Sequence, residues 1–150
     1  MQRYKQEIGG QLPEGWLVGK ESIMFLEPNG EANVIASSEP LGTGIDTKQY
    51  AELQGDLLRK DFEGYVYVET VFEQVEVWGG KQGYLRRFQW EPPDNVPVTQ
   101  IQIYYVENGR GYTATATVPS KYEERFELQL RLILGALTIE SQPTATPAGD

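Results

Sequence analysis

The chain has 150 residues, with 13 basic and 22 acidic side chains, a net charge of −9, and neither cysteine nor histidine. Its length predicts one domain. The missing residue types exclude disulfides, thiolate zinc sites, cysteine nucleophiles and a serine–histidine–aspartate relay, and the acidity disfavours nucleic acid and anionic membrane surfaces as partners. We therefore expect a binding domain and not an enzyme, with no catalytic residue, no cofactor and no metal.

The N-terminal residues do not resemble an export signal. No apolar run follows Arg3 and Lys5 within residues 1–16, so the hydrophobic region of a signal peptide is missing there. No stretch of the chain approaches the eighteen or so apolar residues that a membrane span requires. With Met1 as the native start, we expect a cytoplasmic protein without stable membrane insertion.

The first half of the chain predicts a β-hairpin and then a helix. Ser22–Leu26 and Ala32–Ser37 are short apolar runs separated by the turn residues 27–31. Asp46 then opens a helix, and Gln49 is placed to complete a capping box. The apolar positions of this helix recur at helical spacing, at Tyr50, Leu53, Leu57, Leu58 and Phe62.

The second half predicts further strands and a second helix. Alternating or apolar runs indicate strands at Tyr65–Phe72, Gln74–Trp78, Tyr84–Trp90, Thr99–Val106 and Tyr112–Val118. Ser120 begins the second helix, with Glu123 completing its capping box. We expect an α+β domain over residues 1–140, with a curled antiparallel sheet of about six or seven strands and two helices packed on one face. Residues 141–150 predict a flexible tail.

Several strands are apolar on both sides, which is unusual for an antiparallel sheet with one wet face. Ile23 and Phe25 point opposite to Met24 and Leu26, and Ile35 points opposite to its two neighbours. In the predicted strand Thr99–Val106, the apolar residues at positions 101, 103 and 105 point to one face of the sheet, and those at positions 104 and 106 point to the other. Something must cover the second face. The chain itself, a second subunit and a bound apolar ligand are the three alternatives.

Two glutamines lie among apolar neighbours. Gln54 is within the apolar side of the first helix, and Gln102 lies between Ile101 and Ile103. A buried amide needs hydrogen-bond partners, but an amide can also offer two donors and an acceptor to a guest. A solvated position remains the simpler alternative for each glutamine taken alone.

Two pairs of charged residues are interpreted as structural and not as functional sites. Glu69 and Glu73 are predicted to share one face of a strand, as a glycosidase-like carboxylate pair would, but solvated acidic residues are commoner there. Arg86 and Arg87 are expected to form ion pairs with glutamates and not to contact nucleic acid.

Several short segments of the sequence resemble those of the DcrB-related proteins, a branch of the PsbP-like fold. The similar segments cover much of residues 11–139: Leu12–Trp16 with Ser22–Phe25, Tyr50–Gln54, Gly79–Gly80, Gly83–Trp90, Gln100–Tyr104 and Tyr112–Ala116. Within this family, single domains of this length without a signal peptide resemble the Eag chaperones of type VI secretion. Those adaptors hold the transmembrane segments of a toxic effector before its export.

The resemblance implies a cargo groove on the sheet and no covalent chemistry. Ile23, Phe25 and Ile35 would be its apolar walls, and Gln54 and Gln102, flanked by Tyr104, would supply its polar contacts. The implied partner is the hydrophobic segment of an effector, and an open apolar face favours a homodimer. The competing expectation is a periplasmic or lumenal accessory protein of the DcrB/PsbP type whose signal segment has been removed.

Overall fold

The computed structural model describes residues 2–94 and 96–140, so the expected flexible tail at 141–150 lies outside the described residues. Within these described ranges, six strands, two α-helices and one 3₁₀ turn follow one another. They are β1 (Glu21–Leu26), β2 (Asn33–Pro40), α1 (Thr47–Asp61), β3 (Val66–Val77), β4 (Lys81–Glu91), β5 (Val98–Glu107), β6 (Arg110–Pro119), a 3₁₀ turn (Ser120–Tyr122) and α2 (Glu123–Ala136).

The strands form one antiparallel sheet in the order β1-β2-β6-β5-β4-β3. Hairpins join β1 to β2, β3 to β4, β4 to β5 and β5 to β6, whereas α1 carries the chain from β2 at one side of the sheet to β3 at the far edge. The α+β class, the antiparallel sheet and the number of strands and helices are therefore confirmed.

The two helices lie on opposite faces of the sheet, which corrects the expectation that both pack on one face. We call the face under α1 the front and the face under α2 the back. Tyr104 on the front packs against Tyr50 and Ala51 of α1. Ile101 and Ile103, on the other side of β5, share a core with α2. Because each face has its own helix, β5 is apolar on both sides.

Helix α1 begins as expected but is rotated relative to the predicted apolar side. Asp46 accepts a hydrogen bond from the backbone of Gln49 while the Gln49 side chain bonds back to Asp46, which completes the capping box. The buried positions are Tyr50, Ala51 and Gly55. Leu53 and Leu57, expected in the core, are 48% and 51% exposed. Small residues face the sheet because the helix lies close to it.

Helix α2 begins three residues later than predicted. Ser120 starts a 3₁₀ turn, and the helix proper begins at Glu123 without a side-chain cap. The two expected capping residues bind elsewhere: the Ser120 hydroxyl pairs with Thr99 at 2.8 Å, and Glu123 holds Arg87 through two oxygens. Phe126, Leu130 and Leu134 of α2 close the back core over Val34 and its neighbours on β2, β5 and β6.

Strand β3 contains a β-bulge that changes which side chains share a face. Its register with β4 shifts between Glu69 and Val71, so Thr70 is the extra residue. As a result Glu69 points to the front, opposite Phe88, and Glu73 points to the back, opposite Leu85. The predicted carboxylate pair of Glu69 and Glu73 is therefore not formed.

Candidate functional site

Helix α1 covers β4 and β5 on the front face and leaves a strip over β1, β2 and β6 beside it. Met24 and Leu26 on this strip are 51% and 67% exposed, and Ile35, opposite Met24 on β2, is half-buried. We call this strip, together with the adjoining side of α1 and the half-buried Gln100 and Gln102 of β5 next to β6, the trough. Its apolar far wall is formed by β1 and β2, where Met24 and Leu26 expose hydrophobic side chains to water.

The near wall of the trough is one side of α1. Tyr50 lies over Gly111 of β6 and its hydroxyl meets the Thr113 hydroxyl at 2.8 Å, so this side of the helix looks toward β6. Leu53, Gln54 and Leu57 follow Tyr50 at positions i+3, i+4 and i+7 and share its side. Two exposed leucines and one half-buried amide thus border the trough.

The floor of the trough is polar. One row of directly paired residues crosses the whole sheet on the front face, from Met24 through Ile35, Thr115, Gln102 and Arg86 to Phe72. Gln102 donates through Nε2 to the Thr115 hydroxyl at 3.1 Å, and its Oε1 accepts a hydrogen bond from the Tyr104 hydroxyl. The apolar wall therefore ends at an amide that is already ordered.

A buried arginine lies beneath α1, next to Gln102 in this row. Arg86 is 2% exposed. It donates to Glu69 Oε1 at 2.6 Å, to the Ala51 carbonyl at 3.0 Å and to the Tyr104 hydroxyl at 2.8 Å. Its guanidinium also stacks 4.4 Å from the centre of the Phe72 ring. A buried charge is costly unless it is paired and hydrogen-bonded, and all these contacts together meet that need.

A second polar row runs beside the first. Trp90 donates its indole N–H to Oε1 of Gln100 at 3.1 Å, and Nε2 of Gln100 donates to the Thr117 hydroxyl at 2.8 Å. Gln100 and Gln102 are two residues apart on β5, so both amides point to the front. The floor of the trough thus carries two parallel amide–threonine pairs.

Burial changes the acid–base behaviour of the tyrosines next to this floor. Burial raises the pKa of Tyr50 to about 12, with Glu39 adding to the effect and the hydrogen bond from Thr113 opposing it. The pKa of Tyr104 is raised further for the same main reason, although Arg86 opposes the shift. Both hydroxyls are therefore neutral over the physiological range and act as ordinary hydrogen-bonding groups.

The structure divides the six residues predicted for a cargo groove between the two faces. Ile35, Gln54, Gln102 and Tyr104 are on the front, whereas Ile23 and Phe25 pair with Ala36 and Val34 and point to the back core. One groove containing all six is not formed. Tyr104 is completely buried under α1, so its hydroxyl contributes through Gln102 and not by direct contact with a guest.

The residues that sequence reasoning missed are Arg86 and the glycine above it. An ion pair between Arg86 and a glutamate was expected, and the contact with Glu69 across β3 and β4 confirms it. Its burial was not expected, because a charged residue in a strand is usually solvated. The available signal was Gly55, a poor helix former in the middle of α1 that permits close approach to the sheet.

The back face has an apolar cavity of its own. An apolar cavity of about 280 Å³ lies between the β1–β2 hairpin and α2, lined by Phe25, Val34, Phe126 and Ile133 among others. Tyr4 of the N-terminal segment meets Phe25 edge-on at 5.5 Å. Within the residues that are described, no helix is long and apolar enough to cross a membrane.

Comparison with known proteins defines the fold. No family model and no curated protein sequence matches the chain. Among solved structures, it is similar to PA94, a protein of unknown function from Pseudomonas aeruginosa, with a TM-score of 0.71 and 15% identity over 87% of this chain and 90% of that one. It is also similar to the cyanobacterial PsbP (CyanoP) of Synechocystis sp. PCC 6803, with a TM-score of 0.55 and 7% identity over 83% and 94%.

These likenesses define the chain as a domain of PsbP-like fold, as expected from its sequence. What distinguishes the site on this fold is the trough: an exposed apolar wall, a floor of ordered amides and a helix along one side. Such an arrangement can bury an apolar segment and hydrogen-bond to it.

Proposed function

We propose that the protein is a non-enzymatic chaperone or adaptor that holds one hydrophobic, transmembrane-like helix of a client protein in the trough. The observation that carries this proposal is that two neighbouring rows of the sheet each join an exposed apolar side chain to an ordered amide, Met24 to Gln102 in one row and Leu26 to Gln100 in the next. An isolated apolar helix in water needs its hydrophobic surface covered. Small polar groups within it also need partners.

The dimensions of the trough suit a single helix. Three strands, β6, β2 and β1, lie beyond α1 on the front face, and at about 4.8 Å per strand they span roughly 14 Å. A helix with its side chains is about 10 Å wide. The near wall has the length of α1, whose 15 residues extend about 22 Å. This length covers most of the roughly 30 Å that a membrane-spanning helix presents.

The resemblance to the Eag chaperones gives the proposal its finer content. On this basis the client is an effector of type VI secretion, the protein acts in the bacterial cytoplasm, and its release of the client is coupled to loading for export. The net charge of −9 supports such a role, because strong like charge keeps a protein soluble while it exposes apolar surface.

A co-expression experiment tests the proposal. The probe is a soluble carrier protein fused to an apolar helix of about twenty residues, and the readout is the fraction of carrier recovered in the soluble phase. We expect the wild-type chain to increase this fraction and Met24→Asp to abolish the increase. Leu128→Asp is the matched control, because Leu128 is 71% exposed on α2, on the opposite face. Equal rescue by both variants would exclude the trough as the binding site.

We further propose that the chain forms a homodimer through apolar surface left open on the sheet. Sedimentation at high micromolar concentration measures this directly, and a monomer under those conditions would contradict it. Met24→Asp also separates two arrangements: it dissociates a dimer built on the trough and leaves a dimer built elsewhere intact. If the trough is the dimer interface, the helical client must compete with the second copy.

An accessory protein of the DcrB/PsbP type, acting in a periplasm or lumen, is the second candidate function. The likeness to the cyanobacterial PsbP favours this alternative at the level of the fold. The genomic reading frame around the start codon distinguishes the two candidates. An encoded export signal or lipid-attachment motif upstream of Met1 supports the accessory protein and contradicts a cytoplasmic chaperone.

A further inference from the structure

We propose that Arg86, acting through Tyr104, fixes the orientation of the Gln102 amide, so that the trough selects guests that present hydrogen-bond acceptors. This inference rests on the proposed function, since it concerns the chemistry of the same trough. It assigns a positioning role to two buried residues that a guest does not touch.

The direction of the hydrogen bonds in the row of Gln102 and Thr115 follows from Arg86. A guanidinium can only donate, so the Tyr104 hydroxyl oxygen is the acceptor in its 2.8 Å contact with Nη1 of Arg86. The single hydroxyl proton of Tyr104 is then free for its other partner, Gln102. Gln102 must therefore turn its oxygen to Tyr104 and its NH₂ group toward β6, where it donates to Thr115.

The second row has the same direction for an independent reason. An indole N–H is also only a donor, so the 3.1 Å contact with Trp90 makes the Gln100 oxygen the acceptor. The NH₂ group of Gln100 then points to β6 and donates to Thr117. Two different donor-only groups, each on β4, thus impose one orientation on two neighbouring amides of β5.

The consequence for the trough is a surplus of donors on its floor. Each amide uses one N–H on a threonine and keeps a second N–H. Each threonine hydroxyl accepts that bond and retains its own proton to donate. All four residues are half-buried, so they remain within reach of a guest. Acceptors such as an ether or hydroxyl oxygen, or a backbone carbonyl left open by a small side chain, match this floor.

The packing around Arg86 holds this orientation firmly. Gly55 brings α1 so close that a Cβ at that position would lie 2.4 Å from Nη2 of Arg86. Glu69 and the Ala51 carbonyl occupy other donors of the same guanidinium, and the Phe72 ring covers its plane. The guanidinium therefore has little freedom to turn away from Tyr104, and the amide that depends on it is fixed before any guest arrives.

A direct test uses the free protein labelled with ¹⁵N. In Tyr104→Phe the donor to the Gln102 oxygen is lost, so the side-chain NH₂ resonances of Gln102 should shift. Tyr84→Phe is the matched control: Tyr84 lies directly opposite Tyr104 on β4 and stacks on Phe72 at 5.4 Å. We expect the control to leave the Gln102 signals in place. Unmoved Gln102 signals in Tyr104→Phe would overturn the positioning role whatever the guest is.

A binding test measures selectivity with two synthetic apolar helices of about twenty residues. They differ at one central position, which carries O-methylserine in one peptide and the isosteric norvaline in the other, so only an ether oxygen replaces a methylene. The position is moved through one helical turn so that one peptide pair faces the floor. At the peptide position that faces Gln102 we expect a preference of roughly two- to tenfold for the ether, retained in Tyr84→Phe and lost in Tyr104→Phe.

The outcomes separate this inference from the proposed function. If neither peptide binds, the chaperone function fails, although the resonance test still decides the orientation of Gln102. If both bind equally to the wild-type chain at every position, the trough is a holder of apolar helices without acceptor selectivity and the inference is wrong. A preference that survives in Tyr104→Phe at the peptide position facing Gln102 would assign the selectivity to other residues and would equally overturn it.

Discussion

Gly55 of α1 lies directly over the buried guanidinium of Arg86, at a distance that leaves no room for a side chain. Glycine in the middle of a helix normally lowers stability relative to alanine. Here it allows a helix to rest on a charged residue of the sheet and lets the Ala51 carbonyl accept a hydrogen bond from that residue. The close approach of α1 to β4 thus depends on the absence of a side chain at Gly55.

Replacement of Gly55 by alanine should therefore destabilise the protein. The added Cβ would be 2.4 Å from Nη2 and 2.8 Å from Cζ of a group held by several bonds, so α1 must move away. We expect a loss of about 1 to 3 kcal/mol in the free energy of unfolding, measured by urea denaturation. Gly135→Ala in α2 is the control, because a Cβ there meets nothing within 4 Å. It should raise stability by up to about 1 kcal/mol.

The ion pair between Arg86 and Glu69 should show strong coupling. Glu69→Gln leaves a buried guanidinium without its carboxylate and should cost about 3 kcal/mol. Glu69→Gln combined with Arg86→Met removes that isolated charge. The double variant should therefore be more stable than the sum of the single effects predicts, by about 1 to 3 kcal/mol. Glu73→Gln, on the same strand but facing the back, is the control. Additive effects would show that the pair does not stabilise the fold.

Alkaline pH should destabilise the protein through its buried tyrosines. Burial raises the pKa of Tyr50 to about 12, against an ordinary value of 10.0. Below pH 10 both the folded and the unfolded state keep the hydroxyl proton of Tyr50, so the contribution of this residue to the free energy of unfolding is at its full value. Between about pH 10 and 12 only the unfolded state loses it, so stability falls by at most about 1.4 kcal/mol per pH unit for this residue.

Tyr50→Phe isolates this contribution. The variant should be less stable at pH 8 by about 1 kcal/mol, because the hydroxyl that meets Thr113 is lost. Its stability should then fall less steeply above pH 10 than that of the wild-type chain. The control is Tyr4→Phe, at a position that is half exposed. Urea denaturation at several pH values measures both slopes, and equal slopes for Tyr50→Phe and wild type would contradict the prediction.

The near wall of the trough can be tested without disturbing the fold. Leu57 is 51% exposed, so Leu57→Ser should change the free energy of unfolding by less than about 0.5 kcal/mol. The same substitution should weaken binding of an apolar helical peptide several-fold, as measured by fluorescence anisotropy. Leu132→Ser on α2, at 47% exposure, provides a matched position outside the trough. Equal affinities for both variants would exclude α1 as a wall of the site.

Much of the fold could be predicted from local pattern, because the strands of this sheet have strong periodicity and clear turns. The two-sided character of β5 was visible in Ile101 and Ile103 against Tyr104. The placement of the helices could not be predicted, because the pattern of a single strand indicates that both of its faces are covered but not which element covers each face. In α1, the large residues Leu53 and Leu57 suggested the wrong side, since close approach to the sheet required Ala51 and Gly55 there instead.

The candidate site was only partly accessible to sequence reasoning. Gln54 and Gln102 were recognisable as amides among apolar neighbours, and the structure places both beside the trough. Ile23 and Phe25 could not be assigned to a face until β1 was paired with β2 in a defined register. The ion pair of Arg86 was predicted but its burial was not, because its partners lie at residues 51, 69 and 104 and only the tertiary fold brings them together.

The bulge at Thr70 has a consequence for how the molecule tolerates insertions and deletions. Before it, Tyr67 and Glu69 face α1; after it, even-numbered residues such as Phe72 do so. The bulge therefore changes which residues of β3 face the helix, from the odd-numbered ones before Thr70 to the even-numbered ones after it. Because Thr70 is the extra residue, its loss would join Glu69 directly to Val71 in regular alternation, and Tyr67, Glu69 and Phe72 would all still face the helix. A deletion at this point of the edge strand should therefore leave the counter-charge of Arg86 in the centre of the protein.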